Sequence, residues 1–233
     1  MTSEEFAKYI DHTILKPQAT VDDVFSVCDE AIKYSFATVC VNSYFVPFVK
    51  KKLKGTSVGA ATVVGFPLGA SSTAAKCFEA ASSILSGANE IDMVINMGLL
   101  KMGNIDEAYL DIAAVVEAAH SAKQEVNLKN VIVKVIIETC YLTDGEKKKA
   151  AEMVKKAGAD FVKTSTGFGP GGAKVEDVAL IRKVVGNRFG IKASGGIKTY
   201  KQVLSMIEAG ATRIGTSSGT KLMEEFLNEG KGI

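Results

Sequence analysis

"SGANEID" (residues 86–92), "KAGADFVK" (156–163) and "EAGATRIG" (208–215) are three versions of one phrase. In each, a small–Gly–Ala turn carries the chain from a helical pattern into a short apolar run. Glycine suits such a stop because it adopts the left-handed conformation without steric penalty. The runs that follow are β-branched and nearly continuous in apolar character, as parallel strands covered on both faces must be. A phrase that recurs at helix-to-strand joins marks a repeated strand–helix unit.

Working outward from these joins, the sequence predicts eight strands, at 9–15, 36–42, 57–66, 89–96, 131–138, 160–165, 189–194 and 212–217. Amphipathic helix patterns fall at 20–35, 72–88, 108–123, 144–159 and 200–211. The first opens on Thr20 with Asp22 and Asp23 behind it, a helix N-terminus signal. No linker or low-complexity tract interrupts the series. One α/β domain over residues 1–233, a single (β/α)8 TIM barrel, fits the count and the length. A doubly wound open sheet is the competitor. It calls for a glycine-rich fingerprint after the first strand, and "DHTILKPQAT" (11–20) has none.

Composition narrows the function. Of 233 residues, 47% are hydrophobic and 23% charged, an ordinary globular balance. The 28 lysines and arginines face 26 acids for a net charge of +2, so no basic stripe announces a nucleic-acid partner. Cys28, Cys40, Cys77 and Cys140 form no C-x-x-C pair. The opening "MTSEEFAKYI" is acidic and polar, unlike a signal or transit peptide. No apolar run reaches the roughly 18 residues of a membrane span. A cytoplasmic protein with free thiols and no membrane partner is expected.

In a barrel the C-terminal strand ends build the site. The polar residues there are Asp11 and His12, Cys40 and Asn42, Asp92 and Asn96, Lys134 and Glu138, Lys163, Lys192, and Ser217 with Ser218. Lys134, Lys163 and Lys192 stand in three successive strands, 29 residues apart each time. Equal βα units explain the spacing and allow all three to enter one cavity. Lysines at strand ends commonly just snorkel to solvent. Three in adjacent strands, flanked by Val, Ile and Phe, fit that reading poorly. Lys134 sits mid-strand and reads equally as a structural ion-pair partner of Glu138 or Asp92. Cys40, at a strand end, is expected to line the pocket.

Clustered lysines suit imine chemistry. Only a neutral amine attacks a carbonyl, and a free lysine with pKa about 10.4 is neutral in on the order of one molecule per thousand near pH 7. Lowering that pKa by about three units costs about 4 kcal/mol, which burial and a second cation supply. Imine formation also needs a proton shuttle. Asp92, between Ile91 and Met93, suits that role or that of a buried ion-pair partner. "ASGGIKT" (193–199) and "GTSSG" (215–219) are Gly/Ser turns after the last two strands, each expected to open a helix and to bind phosphate through backbone N–H groups. "STGFGPGG" (165–172) adds a flexible neighbour. The two histidines, His12 and His120, lack ligand spacing, so no metal is expected. Neither a nucleophile elbow nor a P-loop is present. A different sugar-phosphate lyase or isomerase, or a non-catalytic binding barrel, would keep the phosphate turns without reduction-dependent labelling of a lysine.

"DHTILKP", "VCVNSYFVP", "VVGFPLG", "NEIDMVINMG", "KVIIET", "FVKTSTGFGPGGA", "IKASGGIKT" and "RIGTSSG" occur in that order from about residue 8 to 220. Together they resemble the deoxyribose-phosphate aldolase family, class I aldolases. The resemblance implies a TIM barrel that cleaves 2-deoxy-D-ribose 5-phosphate to acetaldehyde and D-glyceraldehyde 3-phosphate without a cofactor, in deoxyribonucleoside catabolism. It implies Lys163 as the Schiff-base lysine, Lys192 as its perturbing neighbour and Asp92 as the proton-transfer acid. Lys134 and Asp11 match the surrounding network; Gly167, Gly195, Gly196, Gly215, Ser217 and Ser218 match the phosphate turns. Small-molecule sugar phosphate and aldehydes are the implied partners, and a homo-oligomer, dimer or tetramer, the implied assembly. Where some members place a phosphate-holding lysine, Phe168 stands, leaving the charge to backbone groups and Lys198. Some members end in a tyrosine that reaches the site; "NEGKGI" (228–233) holds none, so no tyrosine-assisted proton step is implied.

Overall fold

The computed structural model describes residues 1–229. Residues 230–233, on which most of the tail expectation falls, lie outside the described residues. The chain opens on a short helix, α1 (Ser3–Ala7), and then alternates. It runs through β1 (Ile10–Ile14), α2 (Val21–Tyr34), β2 (Thr38–Val41), α3 (Val46–Lys52), β3 (Gly59–Val64), α4 (Thr73–Leu85), β4 (Glu90–Val94), α5 (Met97–Lys101) and α6 (Ile105–Glu125). It continues through β5 (Ile132–Ile136), α7 (Asp144–Lys156), β6 (Phe161–Lys163), α8 (Val175–Val185), β7 (Gly190–Ser194), α9 (Tyr200–Glu208), β8 (Arg213–Thr216) and α10 (Gly219–Glu229).

The strands pair in chain order, all parallel, and β8 returns to β1 through Asp11 opposite Gly215. This is the expected closed (β/α)8 barrel, not the open sheet. All eight strands occur where the sequence places them, each shorter by up to two residues at an end. The apolar runs continue past the last ladder bond into the turns. Helix starts obey local chemistry. Thr20 with Asp23, Thr143 with Glu146 and Thr199 with Gln202 form capping boxes at α2, α7 and α9, pairing N–H groups that a helix leaves open.

Successive strand residues point to opposite faces. One set, including Val39, Val41, Ile91, Met93, Val133, Val135, Val162, Ile191 and Ile214, packs into the shell of apolar side chains beneath the helices. Burying each is worth about 1.5–3 kcal/mol. The alternate set points into the barrel. On β2 and β3 it is small and mostly apolar, where Cys40, Ala61 and Val63 meet Leu15 and only Thr38 is polar. Elsewhere the inward set includes seven charged residues: Asp11, Glu90, Asp92, Lys134, Lys163, Lys192 and Arg213. The helices claim the aliphatic face of each strand, so the charges are left inside the barrel.

Candidate active site

The inward charges form a closed circuit. Arg213 bonds Glu90 at 3.1 Å, Glu90 bonds Lys134 at 2.6 Å, and Lys134 bonds Asp92 at 2.8 Å. Asp92 bonds Lys192 at 2.7 Å, Lys192 bonds Asp11 at 2.6 Å, and Asp11 returns to Arg213 at 2.7 Å. Three acids and three bases thus alternate around a ring. Thr38 donates its hydroxyl to Asp11 at 2.7 Å. Lys163 hangs from this ring by a single ion pair, 2.8 Å from the same Asp92 oxygen that Lys192 holds. It is the one base beyond charge balance. Releasing its proton therefore neutralises the cluster, and desolvation favours that outcome.

Register explains the neighbours. Lys163 lies directly opposite Lys192 on the adjoining strand, so the two side chains enter the barrel side by side. Lys134 lies opposite Phe161, two residues before Lys163, and beside Asp92. Equal sequence spacing therefore did not mean equal height: Lys134 sits a layer deeper. Its partners are Glu90 and Asp92, not Glu138.

Burial pushes the Lys163 amine down, the Asp92 carboxylate pulls it back, and the Lys192 ammonium pushes it down again; the balance lies below the ordinary lysine value. For Lys192, burial also acts downward, but Asp11 and Asp92 outweigh it and raise the amine above that value. Burial alone would raise Asp92, yet Lys134, Lys163 and Lys192 hold it well below the usual carboxylate range. Among these lysines the lowered amine is also the accessible one. Lys163 is 3% exposed, against 0% for Lys134 and Lys192. It borders a cavity of about 400 Å³ at the C-terminal mouth of the barrel.

Gly167, Gly195, Gly196, Gly215 and Ser217 line the same cavity, with Thr166, Phe168, Ser194 and Lys198. Ser218 does not line it; its backbone N–H donates to Thr216 at 3.0 Å just before α10 begins. Cys40 does not line it either, contrary to expectation. It is fully buried against Leu15, Ala61 and Val63, because its strand position faces the apolar side of the barrel interior. Asp11, Asp92, Lys134 and Lys192 form the floor beneath the cavity rather than its wall. Both Gly/Ser turns open a helix as expected, 193–199 leading into α9 and 215–219 into α10. The 193–199 turn ends in the Thr199 capping box of α9, whose Gln202 side chain also takes the Lys198 N–H at 2.9 Å. Gly195 and Gly196, both at positive φ, bring the backbone of this turn to the cavity just ahead of α9.

Three features escaped the sequence reading. Glu90 and Arg213 complete the ring, but at strand starts they read as boundary charges. Lys16, in "DHTILKP", stands exposed on the cavity rim. His12, already among the strand-end polar residues, lines the cavity and bonds Glu30 of α2 at 2.6 Å. Thr166, buried, links the cavity to the turn after β5. Among the described residues, no three His, Cys, Asp or Glu side chains converge as a metal site would require.

A closed barrel with its charged cluster opening at the strand C-termini places the chain among the TIM-barrel enzymes. The model of the DeoC/LacD family aldolases matches residues 6–224, and the chain belongs to that family. It is 58% identical to a protein named deoxyribose-phosphate aldolase from Thermococcus gammatolerans, over 98% of this chain and 99% of that one. It is 55% identical to one of the same name from Caldanaerobacter subterraneus subsp. tengcongensis, over 97% and 95%. A solved structure described as a tetrameric deoxyribose phosphate aldolase from Aeropyrum pernix superposes with a TM-score of 0.88 at 31% identity, over 98% of this chain and 93% of that chain.

Proposed function

We propose that this chain is a deoxyribose-phosphate aldolase, reversibly cleaving 2-deoxy-D-ribose 5-phosphate to acetaldehyde and D-glyceraldehyde 3-phosphate through an imine on Lys163. One observation carries the assignment of the lysine: of the three in the charge cluster, Lys163 alone reaches the cavity. Its neutral amine adds to the aldehyde carbon, and loss of water from the carbinolamine leaves an iminium. The C2–C3 bond then breaks as the C3 hydroxyl loses its proton, and the bonding pair moves into the iminium to give an enamine. Protonation at C2 and hydrolysis release acetaldehyde and the amine. Asp92, held ionised by the Lys134 and Lys192 ammonium groups, accepts a proton through water and returns it at C2. Lys192 stays cationic and keeps the amine of Lys163 neutral.

The turns at Gly167, Gly195, Gly196, Gly215 and Ser217, with Lys16 and Lys198 at the rim, receive the phosphate. The whole chain, 1–233, acts as one aldolase domain without a cofactor, in the cytoplasm, in breakdown of deoxyribonucleosides. The tetrameric Aeropyrum pernix relative supports a homo-oligomer. Among the described residues, no helix is long and apolar enough to cross a membrane.

Borohydride reduction in the presence of acetaldehyde tests the assignment. The amine of Lys163 becomes an N-ethyl amine, a net gain of C2H4 on its peptide, and Lys163→Leu abolishes both labelling and turnover while the circular-dichroism spectrum stays unchanged. Labelling of Lys192 would reverse the two roles. Release of glyceraldehyde 3-phosphate from deoxyribose 5-phosphate, followed by a coupled assay, tests the substrate.

A further inference from the structure

Glu138 follows β5, is 2% exposed, and has no cationic partner among the described residues. Its backbone lies in the left-handed region, at φ 48° and ψ 69°. A non-glycine residue stays there only where its surroundings hold it. The adjoining Thr139 N–H donates to Thr164 O at 2.9 Å, fixing this turn on the end of β6. The side chain accepts only from neutral donors. The Thr166 N–H reaches its two oxygens at 3.3 and 3.2 Å, the Thr166 hydroxyl donates to Oε2, and the Cys140 thiol approaches Oε1 at 3.8 Å.

Thr166 passes this constraint on. Its hydroxyl oxygen accepts the Phe168 N–H at 3.0 Å, closing the turn around Gly167, whose φ is +85°. Thr166, Gly167 and Phe168 all line the cavity, whereas Glu138 does not. The far end of the same loop is fixed too. Ala173 N–H donates to Gly195 O at 3.0 Å, and a Cβ on Gly172 would stand 2.2 Å from that oxygen. One cavity-lining turn is thus braced against another, and Glu138 supplies the anchor at the opposite end.

We propose that Glu138 is a positioning residue for the phosphate end of the cavity: its carboxylate, through Thr166, holds the 166–168 turn in the shape that receives the anionic group of the substrate. This rests on the function proposed above. A carboxylate has the wrong charge to contact phosphate, so its role runs through the donors it orients. Charge-assisted bonds of this kind are about twice as strong as neutral ones. Glutamine cannot accept all of these donors with both heavy atoms.

Titration with inorganic phosphate, and steady-state kinetics on 2-deoxyribose with and without its 5-phosphate, test the proposal. Glu138→Gln is expected to weaken phosphate binding and raise KM for the phosphorylated sugar about tenfold, the loss of roughly one good hydrogen bond. Turnover at saturation, KM for unphosphorylated deoxyribose, and borohydride labelling of Lys163 with acetaldehyde are expected to stay within about twofold. Unchanged or tighter phosphate binding would overturn the idea, since tighter binding is what mere removal of a like charge produces. So would equal losses on both sugars. If Glu138→Gln fails to fold, Thr166→Ser should bind phosphate as the wild type does and Thr166→Val as weakly as expected of Glu138→Gln; equal binding by both overturns the proposal. A wild type that binds phosphate but cleaves no deoxyribose 5-phosphate would refute the proposed function and leave the titration to decide on Glu138.

Discussion

Replacing Lys192 by methionine isolates the electrostatic part of the mechanism. The side chain is fully buried, and Met fills most of its volume without charge. Neither acid is orphaned: Asp11 keeps Arg213, and Asp92 keeps Lys134 and Lys163. Lys163 and Lys192 bond one Asp92 oxygen at 2.8 and 2.7 Å, so their nitrogens lie within about 5.5 Å of each other. At an effective dielectric of about 20, two unit charges at that distance repel by about 3 kcal/mol. Losing this repulsion favours the protonated Lys163 by about a hundredfold, since about 1.4 kcal/mol is tenfold. The sign is fixed: Lys163 is reactive when neutral and its pKa is lowered, so activity falls as pH drops through that pKa. In Lys192→Met the acid limb of kcat/KM, which reports the free enzyme, should move about two pH units toward alkaline. On that limb, activity at a given pH should drop about a hundredfold and recover at a pH about two units higher. Lys192→Arg, retaining the charge, should leave the limb in place. An unmoved limb in Lys192→Met, with activity lost equally at every pH, would refute the electrostatic argument and leave Lys192 a purely geometric role.

Two further outcomes follow from the geometry. A Cβ on Gly215 would stand 2.8 Å from Lys192 Cε and 2.9 Å from Ser194 Cβ, so Gly215→Ala should cost about 1–3 kcal/mol in a denaturant titration and lower kcat by displacing Lys192. Gly145→Ala, whose Cβ meets nothing within 4 Å, is the control and should be neutral or stabilising by up to about 1 kcal/mol. Cleavage should survive dialysis against EDTA undiminished; a chelator-sensitive rate restored by a divalent cation would contradict the imine mechanism.

The alternation of strands and helices was legible because each strand is a short apolar run and each join repeats the small–Gly–Ala phrase. Lys163, Lys192 and Asp92 stood out for a related reason: a charge between Val, Ile or Met in a covered strand has few places to go. Glu90 and Arg213 carry the same alternation, "EIDM" and "RIG", but at strand starts a charge is the ordinary boundary signal. Cys40 shows the converse. Strand-end position alone put it at the pocket, yet whether an inward side chain meets cavity or core depends on neighbours from β1 and β3, far off in the chain.

The amino-acid sequence by itself determined the barrel, the strand ends that carry chemistry and the identity of the charged residues among them, because period and local turn chemistry are short-range properties. Which lysine faces substrate was decided only by tertiary structure. Lys134 and Lys163 are spaced like Lys163 and Lys192, but the ladder sets the second pair level and the first two residues apart. Coulomb interactions depend on distance through space, and lysines 42, 71 and 100 positions along the chain from Asp92 converge on its single carboxylate. That convergence leaves one base surplus to charge balance and one amine open to the cavity, and both are Lys163.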